Sequence, residues 1–193
     1  MDKAELTNRI REILAMDTGT DDHRIQRRAR WIQAAQAAVE AGPGDIVEIG
    51  AMEGDSTVEF CKIAARYGRR VLVVDPWTPG TQNCQGHEYS RFKARTEKWR
   101  ENGVLDVLRV ESQSPVAIRA LQGREWAFAL VDGLHKHAEV LCDVMAVRSA
   151  RVICLDDMNM PPVFQAFHQA ASLLEREGIQ NPMMAKKWEG YLV

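Results

Sequence analysis

The sequence predicts an α/β fold built on a doubly wound, mostly parallel sheet, and three features carry that expectation. Short runs rich in β-branched residues recur, as in Ile46-Val47-Glu48-Ile49 and Val71-Leu72-Val73-Val74, and such runs suit strands buried on both faces. Segments with apolar residues at helical spacing separate them, and alternating strands and helices make parallel neighbours. The first strand runs into Gly50-Ala51-Met52-Glu53-Gly54, a turn with a glycine at each end, and then into a helix. Gly50 and Gly54 allow a sharp turn and a close backbone approach, and a helix N-terminus leaves free N–H groups facing whatever sits there.

The bulk properties fit one domain. A chain of 193 residues fills a single core, with residues 1–42 as N-terminal helices and 44–193 as a Rossmann-like core. Hydrophobic residues make up 46% and charged residues 27%, with a net charge of −2, which argues against a nucleic-acid partner. The start, Met1-Asp2-Lys3-Ala4-Glu5-Leu6, has no leader pattern and no later stretch is apolar enough to span a bilayer, so a cytoplasmic protein without a membrane partner is expected. The partners expected are a small-molecule substrate and a second copy of the chain in a homodimer. Cys61, Cys84, Cys142 and Cys154 are scattered and read as free thiols, mostly structural.

Residues 3–16 and 22–41 read as helices, the second with Ile25, Ala29, Ile32, Ala35 and Val39 as its apolar face and Gly42-Pro43-Gly44 as its stop. Arg24, Arg27, Arg28 and Arg30 read as a solvated helix face. The helix after the glycine turn runs to Gly68, with Asp55 or Ser56 as its N-cap. A second strand ends at Asp75, and residues 76–88 form a loop long enough for a lid, with Trp77 and His87 inside it. Residues 88–102 read as helix and 105–110 as the third strand, while Ser114-Pro115 opens a short helix ended by Gly123. Residues 126–131 and 151–155 are the fourth and fifth strands, and 162–177 is a helix with Val163, Phe167, Ala170, Ala171 and Leu174 on one face.

Ligands of such sheets bind beyond the carboxyl ends of the strands, so the acids there are candidates. A phosphate-cradling loop needs Gly-Lys-Ser/Thr and a dinucleotide loop needs Gly-x-Gly-x-x-Gly; this loop has neither. Asp75 at the tip of the second strand can accept from both hydroxyls of a ribose, or it can simply start a turn before Pro76. Asp132 closes the fourth strand and Asp156-Asp157 the fifth. If those strands are neighbours, three carboxylates meet at one rim, where a hard cation such as Mg²⁺, Mn²⁺ or Ca²⁺ relieves their repulsion. The alternative is a set of turn-forming aspartates.

The spacing Glu48-x-Gly50-x-x-x-Gly54-x-Ser56, with Val74-Asp75-Pro76-Trp77, Val131-Asp132-Gly133-Leu134-His135 and Leu155-Asp156-Asp157, resembles class I S-adenosylmethionine (SAM) methyltransferases. Within that class these motifs resemble the branch that includes macrocin O-methyltransferase-like and cephalosporin-hydroxylase-like enzymes, over roughly residues 40–170. It implies a class I methyltransferase fold with SAM as cofactor. Gly50, Gly54 and Ser56 would surround the methionine part, Asp75 the ribose and Gln113-Ser114 the adenine edge. Glu48, Ala51, Thr57, Pro76, Trp77 and Asp132 complete the implied cofactor set. Asp132, Asp156 and Asp157 stand where metal-dependent members bind Mg²⁺, and His135 stands where catechol-type members carry a basic side chain three residues after the first metal Asp. Macrocin-type members place an acid two residues after that Asp, where this chain has Leu134. The ending Lys187-Trp188-Glu189-Gly190-Tyr191-Leu192-Val193 implies that the usual last two strands are shortened or merged into one small hairpin.

The function expected is a metal-assisted O-methyltransferase acting on a hydroxyl of a small molecule, a sugar or secondary metabolite, with His135 as general base. Alternatively His135 caps the next helix or lies at the surface while His137, Lys136 or His87 points inward. A SAM-binding protein without transferase activity and a short NAD-dependent oxidoreductase are the competing functions. The second lacks both the close glycine pair and a Tyr-x-x-x-Lys pair.

Overall fold

The computed structural model describes residues 1–16, 19, 22–80, 84–180 and 189–193. Two helices, α1 (Lys3–Leu14) and α2 (His23–Glu40), lead into β1 (Asp45–Ile49), α3 (Asp55–Arg66), β2 (Val71–Val74), α4 (Glu88–Glu101) and β3 (Leu105–Leu108). The second half runs α5 (Pro115–Gln122), β4 (Trp126–Val131), α6 (His137–Ala146), β5 (Val152–Leu155), α7 (Pro161–Leu173), β6 (Gly178–Gln180) and β7 (Gly190–Leu192). The sheet order is β3-β2-β1-β4-β5-β7-β6. Strands β1 to β5 pair in parallel, and β7 pairs antiparallel with both β5 and β6. Both last strands are therefore present, each three residues long; Lys187 and Trp188 lie outside the described residues.

Side chains alternate between two cores, one on each face of the sheet. Ile46, Val71, Val73, Phe128 and Leu130 pack under α1 to α4, while Val47, Leu72, Val74, Ala129 and Val131 pack under α5 to α7. This double coverage explains why the central strands read as continuous apolar runs. Strand order departs from β1 toward β2 on one side and toward β4 on the other, so the switch point lies between β1 and β4. Among the described residues no helix is long and apolar enough to cross a membrane.

Two local expectations are corrected. On α2 Ala35 and Val39 are buried as expected, together with Trp31, Ala34, Ala37 and Ala38, whereas Ile25 is 54% exposed and Ala29 and Ile32 are half-buried. Small alanines let the helix lie close over β4 and β5, and burial followed those alanines rather than the larger isoleucines. At α3 the N-cap is Gly54, with no side-chain cap, because Ser56 is turned toward Glu48 and Asp55 toward Arg28 and Arg95.

Candidate active site

The turn after β1 is shaped by what surrounds it. Gly50 has φ +84°, and a Cβ there would lie 2.0 Å from the carbonyl oxygen of Asp132. The glycine thus lets the ends of β1 and β4 pass each other. Gly54 has φ +81°, and its missing Cβ leaves room for the ring of Phe92, 2.8 Å from the position a Cβ would take. Behind the turn, Ser56 Oγ and Thr57 Oγ1 both donate to the buried carboxyl of Glu48, tying α3 to β1. Burial pushes Glu48 up to about 7, against the lowering effect of those two hydrogen bonds.

Asp75 fixes the other wall. Its Oδ2 accepts from the backbone N–H of Ala51 (2.8 Å) and Met52 (3.1 Å), and its Oδ1 accepts from Trp77 N–H (2.7 Å). The last bond is the turn that the Asp-Pro pair suggested. A carboxylate offers about four acceptor positions, so one remains for a ligand hydroxyl. Trp77 is buried against Tyr89 and Phe92 and donates through Nε1 to Met52 O at 2.7 Å.

A cavity of about 360 Å³ opens at the switch point, in the size range of small-molecule sites. Of the predicted cofactor residues, Gly50, Asp75, Pro76, Trp77 and Asp132 line it. Glu48, Ala51, Gly54, Ser56 and Thr57 are not among the residues that line it. Gln113 and Ser114 do not line the cavity either: Gln113 Nε2 donates to Asp143 Oδ1 (2.8 Å) and Ser112 Oγ (2.7 Å), and Ser114 caps α5 by accepting from Ala117 N–H. Their neighbours Glu111 and Ser112 line it instead. The loop of 76–88 contributes Thr78 and Cys84 to the wall, and Thr81, Gln82 and Asn83, where a lid was expected, lie outside the described residues.

All three predicted metal acids reach the cavity, because β4 and β5 are neighbours. The ligand atoms that converge are those of Asp132, His135 and Asp157, all within 4.8 Å of one another. His135 Nε2 lies 3.2 Å from Asp157 Oδ2 and 3.7 Å from Asp132 Oδ1. Asp156 is not in that set. Its Oδ2 pairs with Arg27 of α2, and its buried Oδ1 has no hydrogen-bond partner among the described residues. Hydrogen bonding to Asp132 raises His135, against burial, and Asp157 adds to the rise. Burial, then the charge of Asp132, pushes Asp156 well above the usual carboxylate range.

Among the other candidate bases, His87 and Lys136 do not line the cavity; Lys136 takes the N-cap position of α6 and pairs with Glu139. Arg27 lines the cavity, a position that the sequence reading did not expect. Arg30, one turn on, makes a buried two-pronged pair with Glu189, while Arg24 and Arg28 keep the exposed side chains expected of the run. The available signal was spacing: Arg27 falls four residues before Trp31 and seven before Ala34, on one helical stripe.

No curated protein matches the sequence. Among solved structures the chain is similar to CalS11, a TDP-rhamnose 3'-O-methyltransferase of calicheamicin biosynthesis, at 17% identity and TM-score 0.67, covering 98% of this chain and 93% of that one. It is similar to the O-methyltransferase NovP at 14% identity and TM-score 0.58, covering 99% and 98%. It is also similar to the SAH-bound methyltransferase PaMTH1 of Podospora anserina at 12% identity and TM-score 0.61, covering 100% and 87%. These likenesses show the fold. A family model described as a methyltransferase domain matches residues 47–179, from within β1 to β6, and sets aside the nicotinamide alternative. With that match across most of its length and this sheet order beneath it, the chain belongs to the methyltransferase-domain family and is a class I SAM-dependent methyltransferase.

Proposed function

We propose that the chain is an O-methyltransferase that methylates a hydroxyl of a small molecule, a sugar or related metabolite, with help from a divalent cation. The observation that carries this reading is the convergence of Asp132, His135 and Asp157 at the cavity formed by Gly50 and Asp75. CalS11, with the same fold, acts on a sugar hydroxyl by its description, which supports that class of acceptor.

Methyl transfer is an in-line displacement: the acceptor oxygen bonds to the methyl carbon as the carbon–sulfur bond breaks, SAH leaves, and the hydroxyl proton must go to a base. Asp132 and Asp157 would hold the cation, and Asp156 with its unpartnered buried oxygen is in keeping with a site built for positive charge. When bound, such an ion supplies Lewis acidity that lowers the pKa of the acceptor hydroxyl. His135 would accept the proton. The flanking carboxylates raise its pKa and so favour the protonated imidazole, whereas neutralising their charge would favour the free base.

A second reading, favoured by the position of Nε2 among the convergent atoms, makes His135 a third ligand. His135→Ala separates the two. As a base its loss lowers kcat by roughly 10²–10⁴-fold with Mn²⁺ affinity nearly unchanged. As a ligand its loss weakens Mn²⁺ binding measurably by calorimetry. Normal turnover and normal Mn²⁺ affinity in that variant would reject both roles.

A further inference from the structure

We propose that Arg27 is a built-in counter-cation of the acidic rim, holding Asp156 out of the cation site and lowering that site's affinity for divalent ions. This deepens the cation-assisted reading and rests on it. Three carboxylates at one rim need positive charge nearby. Arg27 pairs with Asp156 Oδ2 and lies 3.5 Å from Asp157 Oδ1, so one guanidinium spans both acids at the end of β5. Asp156 therefore faces α2, and the atoms left to converge on an ion are those of Asp132, His135 and Asp157. The second oxygen of Asp156, buried and without a hydrogen-bond partner among the described residues, marks it as a ligand diverted from the set.

The guanidinium is fixed in place. It lies 5.1 Å over the ring of Trp31, and α2 is anchored one turn on by Arg30, whose Nε and terminal nitrogen both donate to Glu189 (2.9 and 2.6 Å). Arginine keeps its charge at all working pH values, so protonation does not remove it. An arriving ion meets that charge beside Asp157 and finds one carboxylate already engaged. Removing the charge while keeping the bulk abolishes the repulsion and releases Asp156 as a further oxygen ligand. Mn²⁺ is the suitable probe, since it accepts both carboxylate and imidazole donors.

The test is Mn²⁺ binding to the chelator-stripped full chain by calorimetry, with the melting temperature as a second readout. Arg27→Met should bind Mn²⁺ about tenfold more tightly than wild type, or better. Arg27→Lys, which keeps the charge, should stay near wild type. If Arg27→Met melts lower in chelator because Asp156 is left buried and unpaired, Mn²⁺ should raise its melting temperature by more than it raises that of wild type. Equal or weaker Mn²⁺ binding by Arg27→Met overturns the counter-cation role and leaves the cation site standing. No Mn²⁺ binding by either protein overturns both.

Discussion

Asp75 accepts a 2.8 Å hydrogen bond from the backbone N–H of Ala51, so the acid at the end of β2 holds the turn at the end of β1. Loss of that carboxylate removes three backbone bonds as well as the acceptor offered to a ribose. Asp75→Ala should weaken SAM binding by about 1.5–3 kcal/mol and lower the melting temperature together. Titration calorimetry checks the first and a thermal melt the second. Unchanged SAM affinity would remove Asp75 from the cofactor site, and an unchanged melt would mean the turn holds without it.

Gly50 is the least replaceable residue of the turn. Its φ of +84° is costly for any other side chain, and a Cβ would sit within bonding reach of backbone, 2.0 Å from Asp132 O, which cannot rotate aside. Gly50→Ala should cost more than about 3 kcal/mol in denaturant unfolding, because strain and clash add. Gly54→Ala should cost less, about 1–3 kcal/mol, since it meets a side-chain ring that can shift. The reverse ranking would mean that the turn is set by α4 rather than by β4.

Glu48 predicts a pH dependence. Its ordinary value is 4.5 and burial first of all pushes it up to about 7, so the folded protein favours the neutral acid. Its stabilising contribution is therefore complete below about 4.5 and is lost as pH rises through about 7, a change on the order of 3 kcal/mol. Wild type should lose melting temperature relative to Glu48→Gln between pH 5 and pH 8. Parallel melting curves for the two proteins across that range would show that Glu48 is ionised when folded.

The central sheet was legible because period and composition agree there: short apolar runs, β-branched in β1 and β2, that lead into Glu48-Ile49, Asp75 and Asp132 mark β1, β2 and β4 and the rim they share. The carboxylates were legible for the same reason, since strand ends define positions in space. What was missed depended on direction rather than position. Nothing in one sequence says that Gln113 turns inward to Asp143, or that Ser56 spends its hydroxyl on Glu48 instead of capping α3. Arg27 was hidden by its neighbours, because four arginines among seven residues look like a solvated face until the alanine stripe is phased against the sheet.

The most direct test of the proposed function follows the methyl group itself. SAM labelled at the methyl carbon is incubated with the full chain and a panel of sugar and other small-molecule hydroxyls, with Mn²⁺ or with excess chelator, and the product is read by mass spectrometry and carbon NMR. The label is predicted to appear as a methyl ether on oxygen in the presence of Mn²⁺, with chelator abolishing transfer and added Mn²⁺ restoring it. Label on nitrogen or carbon, or full transfer in excess chelator, would contradict the account.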